Sequence, residues 1–280
     1  MKKSFLIILI LLISCHRDNS VQEDDNSNAQ KIKIPVVVNV LYETPAGNIS
    51  EEQIRSQIAV LNEDFNAKNS DFNSVPAVFA GVKADVGIEF VLTAIHRAKM
   101  DMSKWDNSDA GGGMKETAKG GLDSTDPSSK LNIHVVEKLK NDSITIGFAD
   151  DPNGDIKING VVVLSKAFGR IGTVVAPTNK GRVAVHEIGH WLGLTHLFNG
   201  DKDGDCVDDG VEDTPIHSSD VQGNPSFPRH GTCPNSPIEM TMNYMCITDD
   251  VAKYMFTNGQ KKLMLSKFTV GSPWYNFRMK

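Results

Sequence analysis

Apolar residues fall in short β-branched runs broken by turn chemistry, with two stretches at helical spacing between them. Residues 32–41 (IKIPVVVNVL) end at Thr44-Pro45-Ala46-Gly47 and predict a strand. Ser50 then stands three residues ahead of Gln53, a capping-box spacing, and Ile54, Ile58, Leu61 and Phe65 follow at helical intervals. This predicts an amphipathic helix over 50–67 that covers a sheet. Residues 86–94 alternate apolar and polar positions, and 131–136 and 160–164 are rich in Val and Ile, so three more strands are expected. Between them, 104–130 is broken by Gly111-Gly112-Gly113, Gly120-Gly121 and Asp126-Pro127 and predicts a loop. A helix is expected over 182–194, irregular chain over 197–250, and a closing helix over 259–268. The order strand, helix, strand, followed by loops and ligand-type residues, points to an α/β (α+β) layer above an irregular second half.

The first thirty residues do not share this patterning. Lys2 and Lys3 precede an apolar run over 5–13 that stops at Ser14-Cys15. Spanning a bilayer takes roughly 20 apolar residues, so the run reads as a secretory signal rather than an anchor helix. Its ending, Leu12-Ile13-Ser14-Cys15, resembles the lipobox of bacterial lipoproteins, in which the cysteine is lipidated; an ordinary signal with an incidental cysteine is the alternative. Residues 16–30 are polar and rich in Asn, Asp and Ser, too poor in apolar surface to offset their ordering entropy. We therefore expect a signal peptide at 1–14, a flexible tether at 15–30 and a folded domain at 31–280. The product would be exported and held at a membrane by lipid on Cys15, on the periplasmic or cell-surface face, or released from it. Export permits a disulfide, and the remaining Cys206, Cys233 and Cys246 leave one thiol over.

Composition adds one exclusion. With 29 basic and 35 acidic residues among 280, the formal charge is -6, and no basic cluster marks a nucleic-acid partner.

The chemistry concentrates in His186-Glu187-Ile188-Gly189-His190-Trp191-Leu192-Gly193-Leu194-Thr195-His196. Residues four apart share one helix face about 5.4 Å apart, so His186 and His190 converge on one ion. Glu187 is rotated by about 100° and reaches the ion's open position without being a ligand. Gly193 can adopt left-handed angles, end the helix and bring His196 back toward the metal. Three nitrogens with an open fourth position mark a catalytic zinc site. Glu187 would act as general base toward the water such a zinc activates. The bland alternative is a surface helix with solvated histidines. His96, His134, His217 and His230 lack ligand spacing and are expected to be surface or satisfied histidines.

This long signature, with the later Met242-Asn243-Tyr244-Met245, resembles the metzincin proteases, in which a methionine forms an apolar floor beneath the histidines. Met245 is the residue placed there. Further segments resemble one metzincin family, the pappalysins: 34–40, Leu61-Asn62-Glu63-Asp64-Phe65, Val86-Gly87-Ile88-Glu89-Phe90, 160–164, Asp213-Thr214-Pro215 and Phe256-Thr257-Asn258-Gly259-Gln260. The resemblance runs from about residue 32 to 268. It implies a metzincin-type domain: a twisted mixed sheet with backing and active-site helices (31–193) above an irregular lower part (194–280). It further implies an endopeptidase acting on proteins or peptides, and a monomer is expected. The acidic stretch 201–214 resembles a calcium-binding region, with Asp209, Val211, Glu212, Asp213 and Thr214 as candidate ligands; the alternative is a solvated acidic loop. Asp250 matches an acidic residue at the base of the pocket for the side chain after the scissile bond, where a carboxylate favours Arg or Lys.

Two positions depart from the family pattern. Ile247 stands where a tyrosine thought to help stabilise the oxyanion is usual, and it has no donor. Ala252 replaces one cysteine, which leaves Cys206–Cys233 as the disulfide the resemblance implies and Cys246 as the free thiol. These departures keep a second reading open: a zinc-binding surface or adhesion module with weak or lost activity. Metal-dependent hydrolysis of a non-peptide amide would use the same residues.

Overall fold

A run of eleven residues, Ile32–Tyr42, makes strand β1, and from Ile34 to Leu41 every side chain is buried. A strand with solvent on one face would alternate, so this burial requires cover on both sides. The computed structural model describes residues 31–101, 112–139 and 145–279, and Lys31–Lys280 cluster as one compact unit. Cys15 and the signal and tether expectations lie outside the described residues.

Helix α1 (Glu51–Asp64) follows β1, then strands β2 (Ile88–Lys99), β3 (Leu131–Val136), β4 (Gly147–Ala149) and β5 (Val161–Leu164). Helices α2 (Arg182–Trp191) and α3 (Asn258–Ser266) complete the regular structure. The sheet order is β2-β1-β3-β5-β4, parallel throughout except for β4, which pairs antiparallel with β5 through Phe148 and Val162. This is the twisted mixed sheet with helical backing expected from the sequence. One face meets α1 and α2 through Val36, Val38, Ile133, Val163, Ile54, Leu61 and Ile188. The other carries a smaller cluster of Leu41, Val136, Val162 and Leu164 beneath Met114 and Leu122. The described part of the predicted loop, 112–130, is therefore a cover, and it includes short 3-10 turns at Gly112–Lys115 and Thr117–Lys119.

Strand β2 runs to Lys99, five residues past its predicted end, because β1 offers a parallel partner as far as Tyr42, with one register shift between Val36 and Val37. Strand β4 is absent from the sequence reading, since three residues are too few to show a period. Helix α1 starts where expected, with Ser50 Oγ accepting the amide of Gln53 at 3.2 Å. Its buried glutamines do more than pack. Gln53 Nε2 donates to the carbonyls of Ser165 and Phe168 at 3.0 and 2.9 Å, and Gln57 Nε2 donates to that of Gly181 at 2.9 Å. Two buried amides thus hold the chain that leads into α2.

Cys206 and Cys233 form a disulfide, and Cys246 is a buried free thiol. His96 and His230 are exposed, whereas His134 and His217 are core residues. His134 Nε2 meets the carbonyl of Leu122 at 3.0 Å, and His217 Nε2 accepts the amide of Met240 at 2.9 Å.

Burial holds both His134 and His217 neutral, with pKa values lowered to about 3 from 6.5. A depressed folded-state value means stability that is present above about pH 6.5 and drains away as pH falls toward about 3. At pH 5 the expected loss is about 2 kcal/mol for each such histidine, since one pKa unit is about 1.36 kcal/mol. Urea unfolding at pH 7 and pH 5 should show His217→Gln losing about 2 kcal/mol less than wild type on acidification. Equal losses would refute this account.

Candidate active site

Helix α2 lies against β5 and β4 and presents His186 and His190 one turn apart. His186 Nδ1 lies 2.6 Å from the carbonyl of Tyr244, and His190 Nδ1 lies 2.8 Å from that of Leu194. A carbonyl only accepts, so each Nδ1 carries the hydrogen and each Nε2 presents a lone pair. The Nε2 atoms of His190 and His196 lie 3.0 and 3.1 Å from that of His186. With no hydrogen available to bridge His186 and His190, their lone pairs would repel unless a cation lay between them. Burial, the largest effect, pushes the pKa of His190 down to about 4 and that of His186 well below its ordinary value, which keeps both in the neutral ligand form. Three neutral imidazoles at this spacing are a zinc donor set. They form the metal-ligand group found among the described residues.

The turn that delivers His196 is a Schellman motif. The amide of Gly193 donates to the carbonyl of His190 at 2.7 Å, and that of Leu194 donates to Gly189 at 3.0 Å. Gly193 has φ +90°, and a Cβ there would run into the Lys267 side chain. The same turn aims the Leu194 carbonyl at His190, so helix termination and ligand orientation are one event.

Met245 is fully buried below α2, and a Cβ on Gly189 would come within 2.5 Å of its Sδ. The methionine floor therefore requires glycine in the helix above it. Its backbone is held by Asn243 Oδ1, which accepts the Met245 amide at 2.9 Å. Asn243 pairs through its amide with Gln260, at 2.8 and 3.0 Å. Gln260 is also the third residue of the capping box that starts α3 with Thr257.

Glu187 is only 7% exposed, with its carboxylate on the wall of a cavity of about 470 Å³ that also includes His186 and His196. Burial pushes its pKa up to about 8, against the opposing charge of Lys253. Gly147 of β4 lies so close that a Cβ would stand 2.9 Å from Glu187 Oε1. Thr145, Ile146, Pro177, Gln222, Gly223, Ile247, Asp249 and Lys253 also line the space. Ile247 therefore stands in the cavity without a donor, as its position in the sequence implied.

Asp250 is the residue expected at the base of the substrate pocket. It is fully buried and absent from the cavity wall. Its Oδ2 accepts the amides of Lys180 and Arg182 at 2.8 and 3.2 Å, so it caps α2, where a helix favours negative charge. Arg182 is buried in turn and forks onto Asp71 at 2.6 Å, with Asp64 at 3.3 Å. Asp213 is likewise a cap: Oδ1 accepts from Thr257 Oγ1 at 2.6 Å and Oδ2 from the Gly259 amide at 2.8 Å, at the start of α3. Asp209 Oδ1 accepts from the amide of Val211 at 3.1 Å and from Thr214 Oγ1 at 2.7 Å. Thr214 Oγ1 also lies 2.8 Å from the Val211 carbonyl, and Glu212 is exposed.

Sequence reasoning missed β4 and Lys253. A single lysine within the apolar run Val251 to Phe256 was the available signal for the second.

The family described as pregnancy-associated plasma protein-A, peptidase M43, matches residues 121–268. The chain belongs to this pappalysin family of metzincin zinc metalloendopeptidases. It is similar to mature mirolysin of Tannerella forsythia, solved in complex with a cleaved peptide, with 35% identity and a TM-score of 0.83 over 90% of this chain and 97% of that one. Promirolysin from the same organism is 36% identical, with a TM-score of 0.83 over 89% of this chain and 85% of that one. An extracellular metalloprotease of Arthroderma gypseum is 30% identical over 265 residues, 91% of this chain and 79% of the relative. The histidine triad thus belongs to a pappalysin-type endopeptidase that acts on peptide substrates.

Gly193→Ala should cost about 1–2 kcal/mol from the left-handed backbone alone. It should also weaken zinc binding, because the turn orients both His190 and His196. Thermal unfolding and chelator competition would check this; unchanged zinc affinity would separate the turn from the metal.

Proposed function

We propose that Glu187 is the general base of this pappalysin endopeptidase and that the chain works as an exported, lipid-anchored monomer. The observation that carries the catalytic role is the sharing of one cavity wall by the Glu187 carboxylate and the imidazoles of His186 and His196. When held by the triad, zinc acidifies a water toward a pKa of about 7 and polarises the substrate carbonyl. Glu187 takes the proton from the attacking water and passes it to the leaving amine. Its burial favours this exchange, because a carboxyl kept from bulk water holds a proton more readily. Strand β4 forms the sheet edge beside the cavity, and an unpaired edge can receive an extended peptide by main-chain hydrogen bonds. Ile247 gives no hydrogen bond to the developing oxyanion, so turnover rests on zinc and Glu187.

A monomer is supported by the site itself, since all four residues come from α2 and the turn after it. The lipid anchor is supported by Ser14-Cys15 after the apolar run and by the polar stretch 16–30. Calcium does not enter the proposal: Asp213 is committed to capping α3, and Asp209, Val211 and Thr214 close a turn on one another. The preference for Arg or Lys implied by Asp250 is also set aside, because one oxygen of that carboxylate caps α2 and the whole residue is buried.

Glu187→Ala should bind one zinc per chain yet lose activity on denatured protein by at least about 10³-fold, within the span of general-base effects. Equal turnover by the two proteins, or none by zinc-loaded wild type, would favour the binding-module reading. For the anchor, Cys15→Ser should move the protein from the membrane to the soluble fraction of expressing bacteria. Retention in the membrane fraction would refute lipidation at Cys15.

A further inference from the structure

One charge on the cavity wall has no part in the hydrolytic proposal. Lys253 is 6% exposed and lines the same space as His186, His196 and Glu187. Among the described residues it makes no hydrogen bond and no ion pair. Burial lowers its pKa; Asp250, the strongest opposing charge, works to keep it protonated, as do Cys246 and Glu187, while Arg182 works against it. None of them satisfies it: Asp250 Oδ2 caps α2, and its buried Oδ1 has no partner of its own. Cys246 is a buried thiol whose pKa burial pushes up to about 12, so it offers no negative charge near neutral pH. Glu187 is needed for proton transfer.

A buried, unpaired ammonium costs several kcal/mol, and an anion brought to it recovers much of that cost. The open side of Lys253 is the cavity, where the substrate lies. A substrate guanidinium there would meet a like charge, while a carboxylate would gain charge-assisted hydrogen bonds in a desolvated setting. Two acidic groups share the wall: burial raises the pKa of Glu187 to about 8 and so favours its uncharged form, and Asp249 is only partly buried, where solvent screens its field more strongly.

We propose that Lys253 is a specificity-determining residue that accepts a substrate carboxylate beside the scissile bond, so that the enzyme favours acidic rather than basic peptides. The carboxylate can be an Asp or Glu side chain or the free C-terminus of a peptide. This rests on the endopeptidase reading and reverses the charge preference drawn from Asp250.

The test uses matched peptides with Glu, Gln or Lys scanned through the positions flanking the bond, each with a free or an amidated C-terminus. Zinc-loaded wild type, Lys253→Met and Lys253→Arg would be compared. At one position, kcat/KM for the Glu peptide should exceed that for Gln by about tenfold or more in wild type and in Lys253→Arg. In Lys253→Met the ratio should fall to near one. A preference that follows the free C-terminus instead assigns the carboxylate to the chain end. A Lys peptide favoured over Gln, or a Glu-to-Gln ratio unchanged by Lys253→Met, would overturn the proposal. Anisotropy of the same peptides on zinc-loaded Glu187→Ala, which binds without cleaving, should show the same ratio. A ratio present in binding without any wild-type turnover would sink the hydrolytic reading and leave the anion site standing. Turnover without a ratio would sink the anion site alone.

Discussion

Three converging imidazole nitrogens, those of His190 and His196 lying 3.0 and 3.1 Å from that of His186, are the constraint on which the rest of the structure depends. The lone pairs of His186 and His190 would push the rings apart if either were free to turn. Each is held by a backbone carbonyl on its far nitrogen, Tyr244 for His186 and Leu194 for His190. Those carbonyls come from chain that follows the helix, so the site exists only once the lower half has folded back beneath α2. Orienting partners of this kind fix the tautomer and ring plane of metal-binding histidines.

A layer of helix caps then fastens the two halves together. Asp250 caps α2 from the lower part, and Asp213 and Gln260 cap α3 while Gln260 also braces Asn243 under the histidines. Arg182, the first residue of α2, reaches Asp71 and Asp64 on the α1 side. Burial still outweighs Arg182 at Asp64, whose pKa rises to about 6, so this buried charge contributes register more than net stability. Glycine serves the same end by absence: Gly189 admits Met245, Gly193 admits the turn, and Gly147 admits Glu187.

Much of this was legible along the chain. Strands β1, β3 and β5 lie within a residue of their predicted bounds, because continuous β-branched runs leave little choice when both faces are buried. The triad, Glu187 and the role of Gly193 follow from helical geometry within eleven residues. Resemblance supplied the Cys206–Cys233 pair and the place of Met245. The helix-capping roles of Asp250 and Asp213 were not legible, because a carboxylate's partner is not encoded beside it. Asp213 accepts the Thr257 hydroxyl and the Gly259 amide, and Asp250 the amides of Lys180 and Arg182, all at helix starts 44 to 70 positions away in sequence.

By itself the sequence determined the donor set, the helix that presents it, the turn that completes it and the family to which it belongs. All of these depend on spacings of a few residues, where local backbone geometry decides. Only the tertiary structure decided which charges face the substrate. Asp250 turned inward to a helix terminus, and Lys253, hidden in an apolar run, was left unpaired on the cavity wall. Burial and pairing of charge are set by groups distant in the chain, and those meet only when the fold closes.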